Sequence, residues 1–417
     1  MTLDPHPPLW RPQHRDTILT MTKGQAFDVV VVGAGVFGAW TAYQLSHTGA
    51  AVLLLDAYGP GNSRASSGGE SRIIRMGYGP DEIYTRSAQR SLIRWCELFD
   101  RMDPPGKSSI NNCRLSFPLF QPTGVLWLAR EHDPYCDATL GTLQRAGVSF
   151  EKLQRDELSR RYPQLELGSV AWGILEPGSG VLMARQAVQA VVMQAVANGA
   201  IYLEEAVSSP GGHGKLASIT TVNGKEIFAE KFVFACGPWL PKLLPELLGE
   251  LIYVTRQEVF FLGVPAGDER FSSERLPTWV DFNDLAYGIP NVDNRGVKIA
   301  IDAHGPKFDP DTGDRLASAG GLAAVRSYLA QRMPLLANAP VMETRVCQYE
   351  NTSNGDFLID RHPAFENVWL AGGGSGHGFK HGPVVGEYVA ALVSGDATVE
   401  PRFALAAKEK VQQRMVF

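Results

Sequence analysis

The chain has 417 residues, 44% hydrophobic and 20% charged, which supplies a sizeable core and excludes a disordered polymer. That length exceeds one ordinary core and points to two domains or one large α/β body. Lys plus Arg number 39 against 44 Asp plus Glu, and this net charge of -5 argues against a nucleic-acid partner. No apolar run reaches the roughly 18 residues of a membrane span, so no membrane partner is expected. The five cysteines (Cys96, Cys113, Cys136, Cys236 and Cys347) are an odd number without a CxxC pair. They suit neither a disulfide framework nor a zinc site, and a reducing, cytoplasmic setting is expected.

Residues 1–26 hold Pro5, Pro7, Pro8 and Pro12 and no signal-length apolar stretch, so they read as a disordered leader, with Met21 as an alternative start. The β-branched run from Phe27 to Val32 has the pattern of a buried parallel strand. A helix is expected from Val36 to about His47, then a strand over 51–55 ending at Asp56. Further along, helices are expected over 81–100, 184–198, 320–333 and 383–393. Strands are expected over 124–128, 232–235 and 368–371, with a hairpin over 216–228 turning at Asn223-Gly224. Residues 251–302 alternate in the manner of a largely antiparallel sheet.

Gly33-x-Gly35-x-x-Gly38 follows the first strand and opens the first helix. Gly33 permits the turn, Gly35 lets backbone approach a pyrophosphate at the helix N-terminus, and Gly38 lets helix and strand pack closely. Asp56 is placed to accept ribose hydroxyls. This fingerprint binds a dinucleotide but does not by itself choose between FAD and a nicotinamide cofactor. Two later glycine segments bear on that choice, Ala235-Cys236-Gly237-Pro238-Trp239 and the stretch from Ala371 to Lys380. The second precedes a helix whose N-terminus would suit the negative N1–C2=O edge of a reduced flavin.

Five ordered segments then resemble one family: Gly69 to Arg75, Gly296-Val297-Lys298, Cys347-Gln348-Tyr349, Phe357 to Pro363 and Ser375 to Lys380. They are similar to the FAD-dependent amine oxidases of the monomeric sarcosine oxidase, N-methyltryptophan oxidase and L-pipecolate oxidase group. The resemblance runs from Phe27 to the last helix. Residues 62–67 look closer to the pipecolate branch. It implies an α/β (α+β overall) architecture: a Rossmann-like FAD-binding domain of the D-amino-acid-oxidase type with a second domain on a mainly antiparallel sheet. The flavin domain is expected over 27–110, 165–245 and 340–410, and the substrate domain over 111–164 and 246–339.

The resemblance also assigns roles. Cys347 matches the cysteine that links covalently to the flavin, a step requiring a thiolate and so a lowered thiol pKa or a nearby cation. Ser71, Arg72, Val207, Gly237, Gly374, Gly376, Gly378 and Lys380 join Gly33, Gly35, Gly38 and Asp56 as cofactor contacts. Arg75 and Lys380 match contacts to a substrate carboxylate, and Arg72 stands against the flavin. Lys298 matches the lysine beside flavin N5 that promotes reaction with oxygen. Tyr287 and Tyr349 match tyrosines that line the substrate face, and His377 matches the histidine of the glycine loop near the flavin.

Two departures are present. Asp302 replaces a pocket histidine, and Ser67 and Gly68 replace a histidine pair. The expected activity is oxidation of a secondary amine bearing an α-carboxylate, such as sarcosine or L-pipecolate, by a monomer that reduces oxygen to hydrogen peroxide. The alternatives are a fructosyl amino acid oxidase, with Asp302 on sugar hydroxyls, a dehydrogenase with another acceptor, or a non-catalytic flavin-binding protein.

Overall fold

The computed structural model describes residues 26–102 and 118–410. The expected leader, apart from Ala26, and Cys113 lie outside the described residues. The first apolar run forms the strand Phe27–Val32. Its alternate residues serve two cores. Val29 and Val31 face one cluster and Val30 and Val32 the other, which is why the segment is apolar without interruption from Val29 to Val32.

That strand is central to a seven-stranded sheet. The order is Leu358–Arg361, Val368–Gly372, Glu226–Phe234, Phe27–Val32, Val52–Asp56 and Ile201–Glu204, with Ser218–Thr220 attached to Glu226–Phe234. The five strands from Val368–Gly372 to Ile201–Glu204 pair in parallel. The chain leaves Phe27–Val32 toward Val52–Asp56 and returns on the opposite side at Glu226–Phe234. Open α/β sheets bind ligands at the carboxyl ends beside such a switch point. Helix Val36–Ser46 is buried on nearly every side, packed against helices Ala184–Ala197 and Gly382–Ser394.

A second sheet of eight strands runs Val341–Asn351, Tyr253–Leu262, Val297–Ile301, Ala286–Ile289, Thr278–Asp281, Val125–Ala129, Trp172–Glu176 and Glu151–Gln154. Its pairings are antiparallel except between Thr278–Asp281 and Val125–Ala129. Strand periodicity decides what each face carries. Val297 and Ile299 pack with Phe260, Trp279 and Leu329 of helix Ala319–Arg332. Lys298 and Ala300 therefore look the other way, Lys298 toward Ser71 and Ala300 toward Val259 and Phe261. Trp172–Glu176 and Val341–Asn351 belong to this second sheet, although their chain positions fall in segments expected with the nucleotide-binding part. A small third sheet, Arg72–Ile74, Gly180–Leu182 and Phe120–Gln121, fixes Arg72.

Two local differences from expectation have simple causes. The hairpin's return and the buried strand expected over 232–235 are one continuous strand, Glu226–Phe234, alternately exposed and buried where it meets Ser218–Thr220 and buried without interruption from Phe232 to Phe234. Helix Pro134–Ala146 was not expected, yet its signals stand in the sequence. Asp133 caps it through the Cys136 N–H, Pro134 opens it, and Gly147 closes it in the left-handed region.

Candidate active site

The nucleotide turn is set by contacts that allow no side chain. Gly33 has φ +105°, and a Cβ there would lie 2.3 Å from the Ala235 carbonyl oxygen. A Cβ on Gly38 would lie 1.8 Å from the Gly33 oxygen, so Gly38 serves packing. Gly35 differs, since its Cβ would meet only Ser67 Oγ, at 3.6 Å. The Val36 N–H at the helix start donates to the same Ser67 Oγ at 3.1 Å. The amides of Ala34 and Tyr58 donate to the Asp56 carboxylate at 2.7 and 2.9 Å. Burial pushes the Asp56 carboxyl up, and those amides partly offset it.

A cavity of about 380 Å³ opens over this turn. Of the expected cofactor residues it is lined by Gly33, Gly35, Asp56, Arg72, Val207, Gly237, Cys347, Gly374, Gly376 and Gly378. Gly38, Ser71 and Lys380 stand off it. A second chamber of about 80 Å³ adjoins it. All eight residues expected at the catalytic site (Arg72, Arg75, Tyr287, Lys298, Asp302, Tyr349, His377 and Lys380) line this chamber. Arg72, Cys347, Tyr349, Gly376 and Phe379 line both spaces and form their common wall.

At that wall the Arg72 guanidinium donates to the carbonyls of Ser71 and Ser66 at 2.8 and 2.7 Å and reaches Cys347 Sγ at 3.3 Å. Negative charge on the sulfur would therefore meet a fixed cation. Cys136 and Cys236 lack this setting, and burial pushes both thiols up. Lys298, 2% exposed, donates to the Ser71 carbonyl at 2.8 Å. Burial holds its ammonium well below the usual range, and Arg72 acts in the same direction. Burial acts likewise on Lys380, with Arg75 adding to it. The permanent charge of the chamber thus comes from its two arginines. Tyr349 donates to Asp302 at 2.9 Å. Burial raises the Asp302 carboxyl, while that hydrogen bond and the charges of Arg75 and Lys380 oppose the rise.

A family model described as FAD dependent oxidoreductase matches residues 28–392. The chain belongs to that family of FAD-dependent oxidoreductases. It is 32% identical over 383 residues to a monomeric sarcosine oxidase of Bacillus sp. (strain B-0618), covering 88% of this chain and 92% of the relative. It is 27% identical over 378 residues to N-methyl-L-tryptophan oxidase of Salmonella heidelberg (strain SL476), covering 88% and 95%. The fold superposes on L-proline dehydrogenase from P. horikoshii with a TM-score of 0.74 at 21% identity, covering 91% of this chain and 97% of that one.

The larger cavity of this FAD-dependent oxidoreductase fits its cofactor on two local observations. Gly35 leaves a cradle that a side chain would fill, and Glu350 Oε2 is a buried polar atom with no partner among the described residues. Glu350 Oε1 accepts the Gly374 N–H at 3.2 Å. Burial pushes the Glu350 carboxyl up to about 7 from its ordinary 4.5. An acid raised in this way imposes no cost below pH 4.5, a growing cost as pH rises, and the full cost above about 7. Glu350→Gln should therefore leave Tm unchanged at pH 4 and stabilise the protein at pH 8 by up to about 3 kcal/mol. A Tm difference independent of pH would show that the carboxyl is not held protonated.

Several residues at the chamber carry no signal in the sequence. Tyr78 and His381 lie behind Lys380, and Trp127 and Phe282 flank Arg75. Gln257 faces the chamber opposite Cys347, placed there by strand register. Glu176 accepts from Met76 N, Gly77 N, Trp127 Nε1 and Ser179 Oγ at 2.7, 3.0, 2.7 and 2.6 Å. It pins the turn that follows Arg75. The pairing of Val125–Ala129 with Trp172–Glu176 brings Trp127 and Glu176 together.

Proposed function

We propose that this FAD-dependent oxidoreductase oxidises a secondary amine carrying an α-carboxylate, an N-methyl amino acid or a cyclic imino acid, with oxygen as acceptor and hydrogen peroxide as product. The observation that carries this is the convergence of Arg75, Lys298 and Lys380 on one small chamber that shares the Cys347 wall with the cofactor cavity. Bound FAD supplies a hydride acceptor for the carbon next to the amine nitrogen. Arg75 takes the carboxylate, because a guanidinium fork matches its two oxygens. Lys380 stands beside it on the same wall. Tyr349, held by Asp302, and Tyr287 present hydroxyls that orient the amine. Lys298 places a cation where charge develops on oxygen.

The test is anaerobic bleaching of the flavin by sarcosine, N-methyl-L-tryptophan, L-pipecolate, L-proline and fructosyl-glycine, followed by peroxide release on admitting air. Bleaching by an N-alkyl or cyclic amino acid with peroxide release is the expected result. Bleaching by fructosyl-glycine alone would overturn the substrate class, and bleaching without peroxide would overturn the acceptor.

Cys347 would hold the flavin through sulfur, with Arg72 meeting the charge. After acid precipitation the yellow colour is expected in the pellet of the parent protein and in the supernatant of Cys347→Ser. Colour in the parent supernatant would remove the covalent link and leave the cofactor assignment in place.

A further inference from the structure

Three stretches far apart in the chain meet at the solvent end of the cofactor cavity. Asp311 lines that cavity together with Tyr58, Trp239 and Lys242, and Tyr58, Lys242 and Asp311 are exposed. Tyr58 follows strand Val52–Asp56 and Trp239 follows strand Glu226–Phe234, both of the first sheet. Asp311 lies between strand Val297–Ile301 of the second sheet and helix Ala319–Arg332.

Their contacts are polar and lie near the surface. The Trp239 indole N–H donates to Asp311 Oδ1 at 2.7 Å, and the Tyr58 hydroxyl donates to the same oxygen at 3.4 Å. Lys242 pairs with Asp311 Oδ2 and, at 2.9 Å, with Asp309 Oδ2. Arg64 Nη1 donates to the Asp311 carbonyl at 3.1 Å. Gln348, the neighbour of Cys347, ties the two sides together. Its Oε1 accepts from Arg315 Nη2 at 3.1 Å, and its Nε2 donates to the Arg64 carbonyl at 2.5 Å. The side chains of Lys242, Asp309 and Asp311 are 41, 45 and 36% exposed. Exposed pairs of this kind fix a position and add little stability, so they part readily.

The segment that carries Asp311 is built as one piece. Residues 309–315 form neither helix nor strand. Asp309 Oδ1 accepts from the N–H groups of Asp311 and Thr312 at 2.8 and 3.1 Å. The Gly313 N–H donates to the Asp309 carbonyl at 2.9 Å, and Arg315 Nη2 donates to the Pro310 carbonyl at 2.9 Å. Both ends are tied to strand Tyr253–Leu262. Before the tip, the Arg256 N–H donates to the Pro306 carbonyl and the Phe308 N–H to the Val254 carbonyl, each at 2.9 Å. After it, the Ser318 N–H and hydroxyl donate to Glu258, each at 2.9 Å. A compact loop with both ends fixed to one strand keeps its own shape when its outer contacts break.

We propose that residues 309–315 are a gate on the cofactor cavity. The tip swings off Trp239, Tyr58 and Lys242 to admit FAD and closes again across the opening. The family supplies the cofactor, and the gate does not depend on which amine is oxidised. The cavity reaches from the nucleotide turn at Gly33 to Cys347 on the second sheet, so a dinucleotide that fills it has to pass between the two sheets. Asp311 and Arg315 join the two sides at that passage. Only hydrogen bonds and ion pairs are exchanged in this step, and no covalent bond changes.

The experiment uses the full chain carrying Cys347→Ser, so that FAD exchanges whatever the state of the parent's link. Uptake by the apoprotein is read by stopped flow as quenching of FAD fluorescence, and release as recovery of that fluorescence on dilution. Asp311→Ala and Arg315→Met, each added to this background, should speed uptake and release together by about tenfold, with Kd and apoprotein Tm little changed. A gate that opens more readily lowers the barrier in both directions. Asp311→Ala removes a negative charge and Arg315→Met a positive one, so acceleration in both variants cannot come from long-range attraction of an anionic cofactor. Arg315 does not line the cavity, so its effect cannot be that of a lost cofactor contact. Faster release with unchanged uptake would make Asp311 an ordinary cofactor contact and overturn the gate. Parent rates in both variants would overturn it as well.

Discussion

Replacing Arg75 by Lys should lower kcat/KM for the carboxylate-bearing amine by about a hundredfold to a thousandfold, mostly through KM. The guanidinium lies 4.6 Å from the Tyr78 ring, 4.7 Å from Trp127 and 5.2 Å from Phe282. It is 5% exposed, and its Nη1 donates to the Gly77 carbonyl. No carboxylate of a described residue forms a salt bridge with it. The aromatic faces hold a flat cation in place and leave its positive charge for an anion in the chamber. A lysine carries the charge but neither the plane nor the fork. Loss of one charge-assisted contact in a buried site is worth about 3–4 kcal/mol. The flavin spectrum should be unchanged, because Arg75 does not line the cofactor cavity. An unaltered KM would remove Arg75 from carboxylate binding.

Lys298→Met should slow reoxidation of the reduced flavin by oxygen about a hundredfold or more, while anaerobic reduction by substrate changes little. The ammonium reaches the chamber from strand Val297–Ile301 and is anchored by the Ser71 carbonyl. Its charge is lost as pH rises, because burial and Arg72 hold the group below its ordinary range. Reoxidation in the parent should therefore fall with rising pH, and the methionine variant should lack that dependence. Equal reoxidation rates in the two proteins would assign oxygen activation elsewhere.

The two replacements separate the functions of neighbouring cations. Arg75 would govern which molecules bind, and Lys298 would govern what happens to the electrons afterwards. A variant enzyme that bleaches normally but fails to recycle, or recycles normally but binds poorly, would tell the two apart by stopped flow.

Much of the fold around these cations is legible in the amino-acid sequence alone. The βαβ unit can be read because each of its residues has a local reason. Alternation has none of its force in Val29–Val32, where both faces are buried, and Gly33 and Gly38 mark positions in the turn that tolerate no side chain. The hairpin at Asn223-Gly224 and the alternating strands up to Asp302 are local in the same sense. Lys298 is a good example of what periodicity supplies. Once Val297 and Ile299 are core residues, Lys298 must face the other way. The residues around Arg75 and Lys380 are not legible in this sense. Trp127, Glu176 and Phe282 come from separate strands or turns, and nothing near them in the chain states their partners. His381 follows a motif that ends at Lys380, so it reads as an ordinary helix-start residue.

The sequence by itself determined the nucleotide turn, the acid that follows it and the ordered segments of the flavoenzyme family. These depend on neighbours a few residues away, where backbone sterics and hydrogen-bond reach leave few choices. The tertiary structure alone decided where the basic side chains lie. The meeting of two separate sheets set Cys347 against Arg72, a cage from three elements held Arg75 without a carboxylate, and burial put Lys380 at the inner end of a line running to Ser87. Charge, solvation and distance between groups up to hundreds of residues apart exist only once the chain has folded.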